Sequence, residues 1–204
     1  MNTEFQYGTW IPSLQIGNGV IAGQYTDRIG NWTRVGHQIF VNAFFRLNYN
    51  QQDVQEAVRR NTTVQEMRIG TLPFESNSGA SIFNLMVSNN SFIQNNRQRF
   101  SNIDNKYIQT EILSLGARSI WGSPRMRVFA TERSVLDNRN SNITQINQTP
   151  LAVDLNLQDI KPSTNGIFVE VRVSGVYTAF ADLSTTDPVN TPPPTIINPS
   201  TVHG

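Results

Sequence analysis

Between Gln38 and Leu47 the chain alternates strictly. Ile39, Val41, Ala43, Phe45 and Leu47 occupy every second position, with Gln38, Phe40, Asn42, Phe44 and Arg46 between them. A period of two puts successive side chains on opposite faces of an extended strand and does not suit a helix. The first set is a core face. The second mixes two phenylalanines with polar groups, which is unusual for a sheet face left to water.

The residues before this strand read as turns. Gly36-His37 precedes it, and Gly30-Asn31 lies six residues earlier. Glycine supplies the positive φ that tight hairpin turns require. Tyr25–Ile29 and Trp32–Val35 therefore read as two short strands, and 25–47 as two successive hairpins opening an antiparallel meander. His37 is expected to be a turn residue, since no His, Cys or carboxylate cluster accompanies it.

Further strands follow. Residues 81–87, SIFNLMV, are apolar nearly throughout and suggest burial on both faces. Tyr107–Leu115 and Met126–Thr131 are further candidates. In 166–177, Ile167, Val169, Val171 and Val173 face one way while Glu170 and Arg172 face the other. The turn-rich stretches 75–80, 88–91 and 137–142 separate these runs, and the chain carries 23 asparagines. The fold class expected is all-β, an antiparallel β-sandwich or jelly roll rather than alternating βα units.

Two segments stand apart. In 53–60, DVQEAVRR, Asp53 precedes Glu56 by three and Val54, Ala57 and Val58 fall at helical spacing. This fits a short capped helix or an irregular insertion between strands. From 182 the chain reads DLSTTDPVNTPPPTIINPSTVHG, where consecutive prolines cannot donate ladder hydrogen bonds. The expected division is a β-sandwich head over 1–181 and an extended or disordered tail over 182–204. That tail is either a loose terminus or an arm anchored on a neighbouring subunit by Ile196-Ile197.

Charge and composition exclude several functions. The net charge is +1 and no basic run exceeds Arg59-Arg60, so no nucleic-acid partner is expected. No stretch approaches membrane-spanning length and the N-terminus lacks a signal-peptide pattern, so neither membrane insertion nor secretion is expected. Without cysteine there are no disulfides, thiolate nucleophiles or cysteine metal sites. All but two of the 16 cationic side chains are arginine, which suits planar contacts at interfaces but also serves as a surface residue.

Several motifs occur together in a familiar order. Gly8-Thr9-Trp10-Ile11-Pro12-Ser13-Leu14 matches G-x-W-x-P-x-L, and Trp32-Thr33-Arg34-Val35-Gly36 matches aromatic-T-R-[IV]-G. Ile39-Phe40-Val41, Gly70-Thr71-Leu72-Pro73-Phe74 and Val173-Ser174-Gly175-Val176-Tyr177 follow. In this the chain resembles, over roughly 8–180, the receptor-binding heads of bacteriophage tail or head fibres and related virion surface proteins. It departs in carrying His37 where the group commonly has Asn, and in the additional residues 48–64. The resemblance implies a homotrimeric head on the virion surface, in contact with other virion proteins, that attaches to a host-surface glycan or receptor without a cofactor. On that reading Phe40 and Phe44 are covered by neighbouring subunits; alternatively, a second sheet or the 48–64 insertion covers them within one chain.

Candidate ligand contacts are Trp32 and Trp121, whose rings offer a flat apolar face to a sugar, with Arg125, Arg127, Asn138 and Asn140 as partners for hydroxyls. For Trp32 the competing role is core or hairpin packing, and Trp10 beside Pro12 is expected to be structural. A glycosidase would need two carboxylates, drawn from Glu111, Glu132, Asp137 and Glu170, but strand alternation pairs none of them. His37 and His203 are the only histidines, and no GxSxG, Walker or HExxH motif is present. A non-enzymatic attachment protein is expected, with a ligand-free capsid cement as the alternative sharing the same fold.

Overall fold

The computed structural model describes residues 5–59, 65–88, 93, 97–101, 106–135, 151–161, 168–180 and 195–196. The protein is all-β with one short helix, and its strands form an antiparallel sheet curled into a half-barrel. The strands are β1 Phe5–Trp10, β2 Ser13–Ile16, β3 Gly19–Val20, β4 Gln24–Val35, β5 Gln38–Asn48, β6 Met67–Gly70 and β7 Ile82–Val87. After them come β8 Arg97–Ser101, β9 Lys106–Ser119, β10 Arg125–Val135, β11 Leu151–Asp154, β12 Val169–Thr178 and β13 Thr195–Ile196. The sheet runs β13-β1-β4-β5-β12-β7-β9-β10-β6-β2-β3, with β11 beside β10 and β8 beside β9.

The period of two in 38–47 sets the core as expected. Ile39, Val41, Ala43, Phe45 and Leu47 are all buried, as are Val169, Val171, Val173 and Tyr177 on the adjoining β12. Across the curl, Leu14, Ile16, Met67, Ile69, Met126, Val128 and Ala130 complete the interior. The two limbs of the sheet touch where the Tyr25 hydroxyl on β4 meets the backbone of Leu14 on β2, accepting from its N–H at 3.1 Å.

Residues 25–47 form one hairpin, not two. β4 runs without a break through Gly30-Asn31, and the turn at Gly36-His37, with Gly36 at φ +60°, leads into β5. Gly30 serves packing instead. It lies opposite Trp10 on β1, whose indole occupies the place a β-carbon would take. The pairing is reciprocal, because Gly8 on β1 lies opposite Trp32 on β4, and a β-carbon there would stand 2.8 Å from that ring. Two glycines thus let two tryptophans lie flat across a strand pair.

Residues from three of the sequence motifs converge on this spot. Trp32 meets Phe74 edge to face at 4.9 Å between ring centroids, and Arg34 stands 5.1 Å from the centre of the Phe74 ring. Phe74 in turn exchanges two backbone hydrogen bonds with the Tyr177 hydroxyl, at 3.0 and 3.1 Å. These residues are joined by packing, from three separate parts of the chain.

The helix forms as α1, Gln51–Arg59, burying Val54 and Ala57 against β2 and β3. Asn50 caps it: its side-chain oxygen accepts from the N–H groups of Gln52 and Asp53, while the Asp53 carboxylate accepts from the Asn50 N–H at 2.8 Å. This reciprocal box begins three residues before the expected cap. In the tail, Thr195 and Ile196 pair with Tyr7 and Gln6 at the β1 edge of the same chain. Residues 181–194 and 197–204, and with them most of the expected tail, lie outside the described residues.

Candidate functional site

Two surfaces stand out, on opposite limbs of the sheet. The first is the outward face of β1, β4, β5, β12 and β7. Register lines its side chains into rows across the strands. One row is Tyr7, Thr33, Phe40 and Val176, with Ile82 on β7 extending it. The next is wholly polar, Thr9-Asn31-Asn42-Ser174-Asn84, and at about 4.8 Å per strand it spans roughly 19 Å. A third row is Ile29, Phe44, Arg172 and Met86.

Phe40 in the first row is 43% exposed, so neither a second sheet nor the described part of the 48–64 insertion covers it. Phe44 is half-buried, with the Arg172 guanidinium 5.0 Å from its ring centre. Strand β7, expected to be buried on both faces, hides Phe83 and Leu85 but leaves Ile82 59% and Met86 69% exposed. An interior-like strand with one bare face is unusual for a sheet left to water.

The second surface is polar and lies on the outward side of β9, β10, β11 and β6, beside the buried strand β2. Register sets Arg68 on β6 beside Arg127 on β10, and Arg127 beside Arg118 on β9. Two carboxylates interleave them. Asp154 pairs with Arg118 at 2.5 Å and with Arg127 at 3.3 Å, and Glu66 pairs with Arg127 and with Arg68, each at 2.9 Å. Arg125 stands one row over, its Nε donating to the Gln15 side-chain oxygen at 3.0 Å. The four arginines outnumber the two carboxylates, and Arg125 has its acidity increased by partial burial and by the nearby Arg68 charge. The chemistry of such an array suits a planar anion or a polyhydroxylated ligand, through charge-assisted, bidentate hydrogen bonds.

Of the sequence-derived ligand contacts, Arg125 and Arg127 are thus brought together. Trp121 lies apart from them in pairing, on the β9–β10 turn, 68% exposed with its ring edge on Phe180 at 6.0 Å. Trp32 is corrected to a core residue: at 3% exposure, enclosed by Gly8 and Phe74, it presents no face to a ligand. Asn138 and Asn140 lie outside the described residues, as does Asp137. No protein-family model, no curated protein and no solved structure matches the chain.

Among the described residues, the glycosidase carboxylates each have a separate setting. Glu111 pairs with Arg133 across β9 and β10 at 2.7 Å, Glu170 pairs with Arg46 at 3.2 Å, and Glu132 is buried within β10. Sequence reading missed Arg68, Arg118, Glu66 and Asp154. Arg68, Arg118 and Asp154 lie on three different strands, with Glu66 just before β6, and only the pairing register makes them neighbours.

Proposed function

We propose that this chain is a self-associating head on a virion surface, a structural protein that attaches the particle to a host-surface glycan. The observation that carries the reading is the outward face of β1-β4-β5-β12-β7. Its apolar rows, Tyr7-Phe40-Val176-Ile82 and Ile29-Phe44-Met86, flank a ladder of Thr, Asn and Ser. Rows of that kind are covered when identical copies meet, with the amides and hydroxyls fixing the register and the apolar side chains supplying the area. The motif resemblance supplies the threefold symmetry and the virion setting. The exposed Trp121 and the arginine array are the surfaces left for ligand once copies have assembled.

Native mass spectrometry and sedimentation test the association: three copies of the 22.9 kDa chain are expected, and a well-behaved single copy removes the reading. Attachment is tested with the purified assembly on host cells. Binding blocked by soluble competing glycan supports adhesion, whereas binding confined to assembled capsids makes the protein a cement.

A further inference from the structure

Among the described cations of the polar surface, Arg125 alone has no carboxylate beside it. Arg68, Arg118 and Arg127 each pair with Glu66 or Asp154, whereas the partner of Arg125 is the neutral amide of Gln15. That amide is itself held. Gln15 is 2% exposed, lies across the bare backbone of Gly70, and donates from Nε2 to the Ser13 hydroxyl at 2.9 Å. Ser13, also buried, donates onward to the Gly70 carbonyl at 3.3 Å. A buried Ser13-Gln15 relay therefore fixes the Nε edge of Arg125 and leaves the Nη1/Nη2 edge for a partner that none of the described residues supplies. Two donors on one edge of a guanidinium match the two oxygens of a carboxylate or sulfate.

We propose that Arg125 anchors an oxyanion site, oriented by Gln15 and Ser13, that takes the carboxylate or sulfate of an acidic saccharide. The saccharide half of this rests on the attachment reading above; the oxyanion half rests on the side chains alone. Gln15 acts here as a positioning residue. Half-burial and the Arg68 charge both press against an unpaired cation at Arg125, and an incoming oxyanion relieves both.

The test uses the full chain, labelled with 15N at arginine, and follows the Arg125 Nε–H signal by NMR. Probes are sodium sulfate and a panel of carboxylated and sulfated oligosaccharides, each beside its neutral counterpart. Expected are saturable shifts with the acidic members, weakened by added salt, and none with the neutral ones. Arg125→Gln is expected to weaken acidic-glycan binding by about tenfold or more, the scale of one charged hydrogen bond. Gln15→Glu gives the sharper outcome. It places a carboxylate against Arg125 from within the chain, so anion binding is lost while the midpoint of thermal unfolding is kept or raised. Retained anion binding in folded Gln15→Glu overturns the proposal, as does a sulfate shift unaccompanied by any acidic-saccharide shift. If neutral oligosaccharides bind as tightly as acidic ones, attachment stands and the Arg125 site alone falls. If no oligosaccharide of either kind binds the assembly, both fall.

Discussion

At the scale of single residues, the protein is organised by close approaches that tolerate no added atom. Trp10 over Gly30 and Trp32 over Gly8 are the clearest. Replacing Gly30 by Ala forces an indole and a methyl group into one space, and the expected cost is about 1–3 kcal/mol. A lower denaturant midpoint at unchanged slope would register it; an unchanged midpoint would mean that the strand pair yields freely. The tryptophans bring no such freedom to a ligand site, which is why the aromatic residue that is most prominent in the sequence motifs, Trp32, serves the core.

Buried tyrosines give a pH signature at the same scale. Burial pushes the Tyr25 hydroxyl up to about 12 from the ordinary 10.0, against the lowering effects of the Leu14 backbone bond and Arg28. Tyr49 and Tyr177 are driven in the same direction, each chiefly by burial. In the unfolded chain these phenols ionise near 10, so above that pH the unfolded state holds fewer protons than the folded one. Their contribution is complete below pH 10 and declines as pH rises through about 12 and beyond. Tyrosinate absorbance for these three residues should therefore appear together with the loss of strand signal in circular dichroism. Their full ionisation near pH 10 in an intact fold would contradict their placement.

The elements show how far local chemistry reaches. Helix α1 rests on the Asn50–Asp53 box, and Asn50→Ala is expected to cost about 1 kcal/mol, read as a lower melting temperature. The helix was legible from Val54, Ala57 and Val58, yet its start was not, because Asp53 works as the reciprocal partner rather than the cap. Strand β4 teaches the converse. Gly30-Asn31 has the composition of a turn, but the indole of Trp10 needs the glycine in mid-strand, and that demand comes from a partner strand twenty residues away. Gly36, with positive φ and open space around it, kept its expected role.

At the scale of the whole molecule, the outward face of β1-β4-β5-β12-β7 leaves Phe40, Val176, Ile82 and Met86 exposed, and the proposed association would cover them. Phe40→Glu combined with Phe44→Glu places two charges in the middle of that face while leaving every core residue in place. The expected result is a folded chain whose sedimentation falls from the assembled form to a single copy. A folded double variant with its assembly unchanged would remove both phenylalanines from the interface. The burial of SIFNLMV on one side only is the same statement in another strand, since Ile82 and Met86 face outward in the single chain.

What is legible in the chain follows from the pleat. Alternation is a property of the backbone over a few residues, so Ile39 to Leu47, and Val169 to Val173, announced both their strands and their buried faces before any fold was known. Register is not local: it depends on which strands pair and at what offset. The gathering of Arg68, Arg118 and Arg127 about Glu66 and Asp154, and the alignment of Asn31, Asn42 and Asn84 into one ladder, arise from pairings between segments as far apart as Asn42 and Ser174, 132 residues. Sequence spacing carries no trace of such contacts, because the free energy that selects them comes from closing the core on the other side of the sheet.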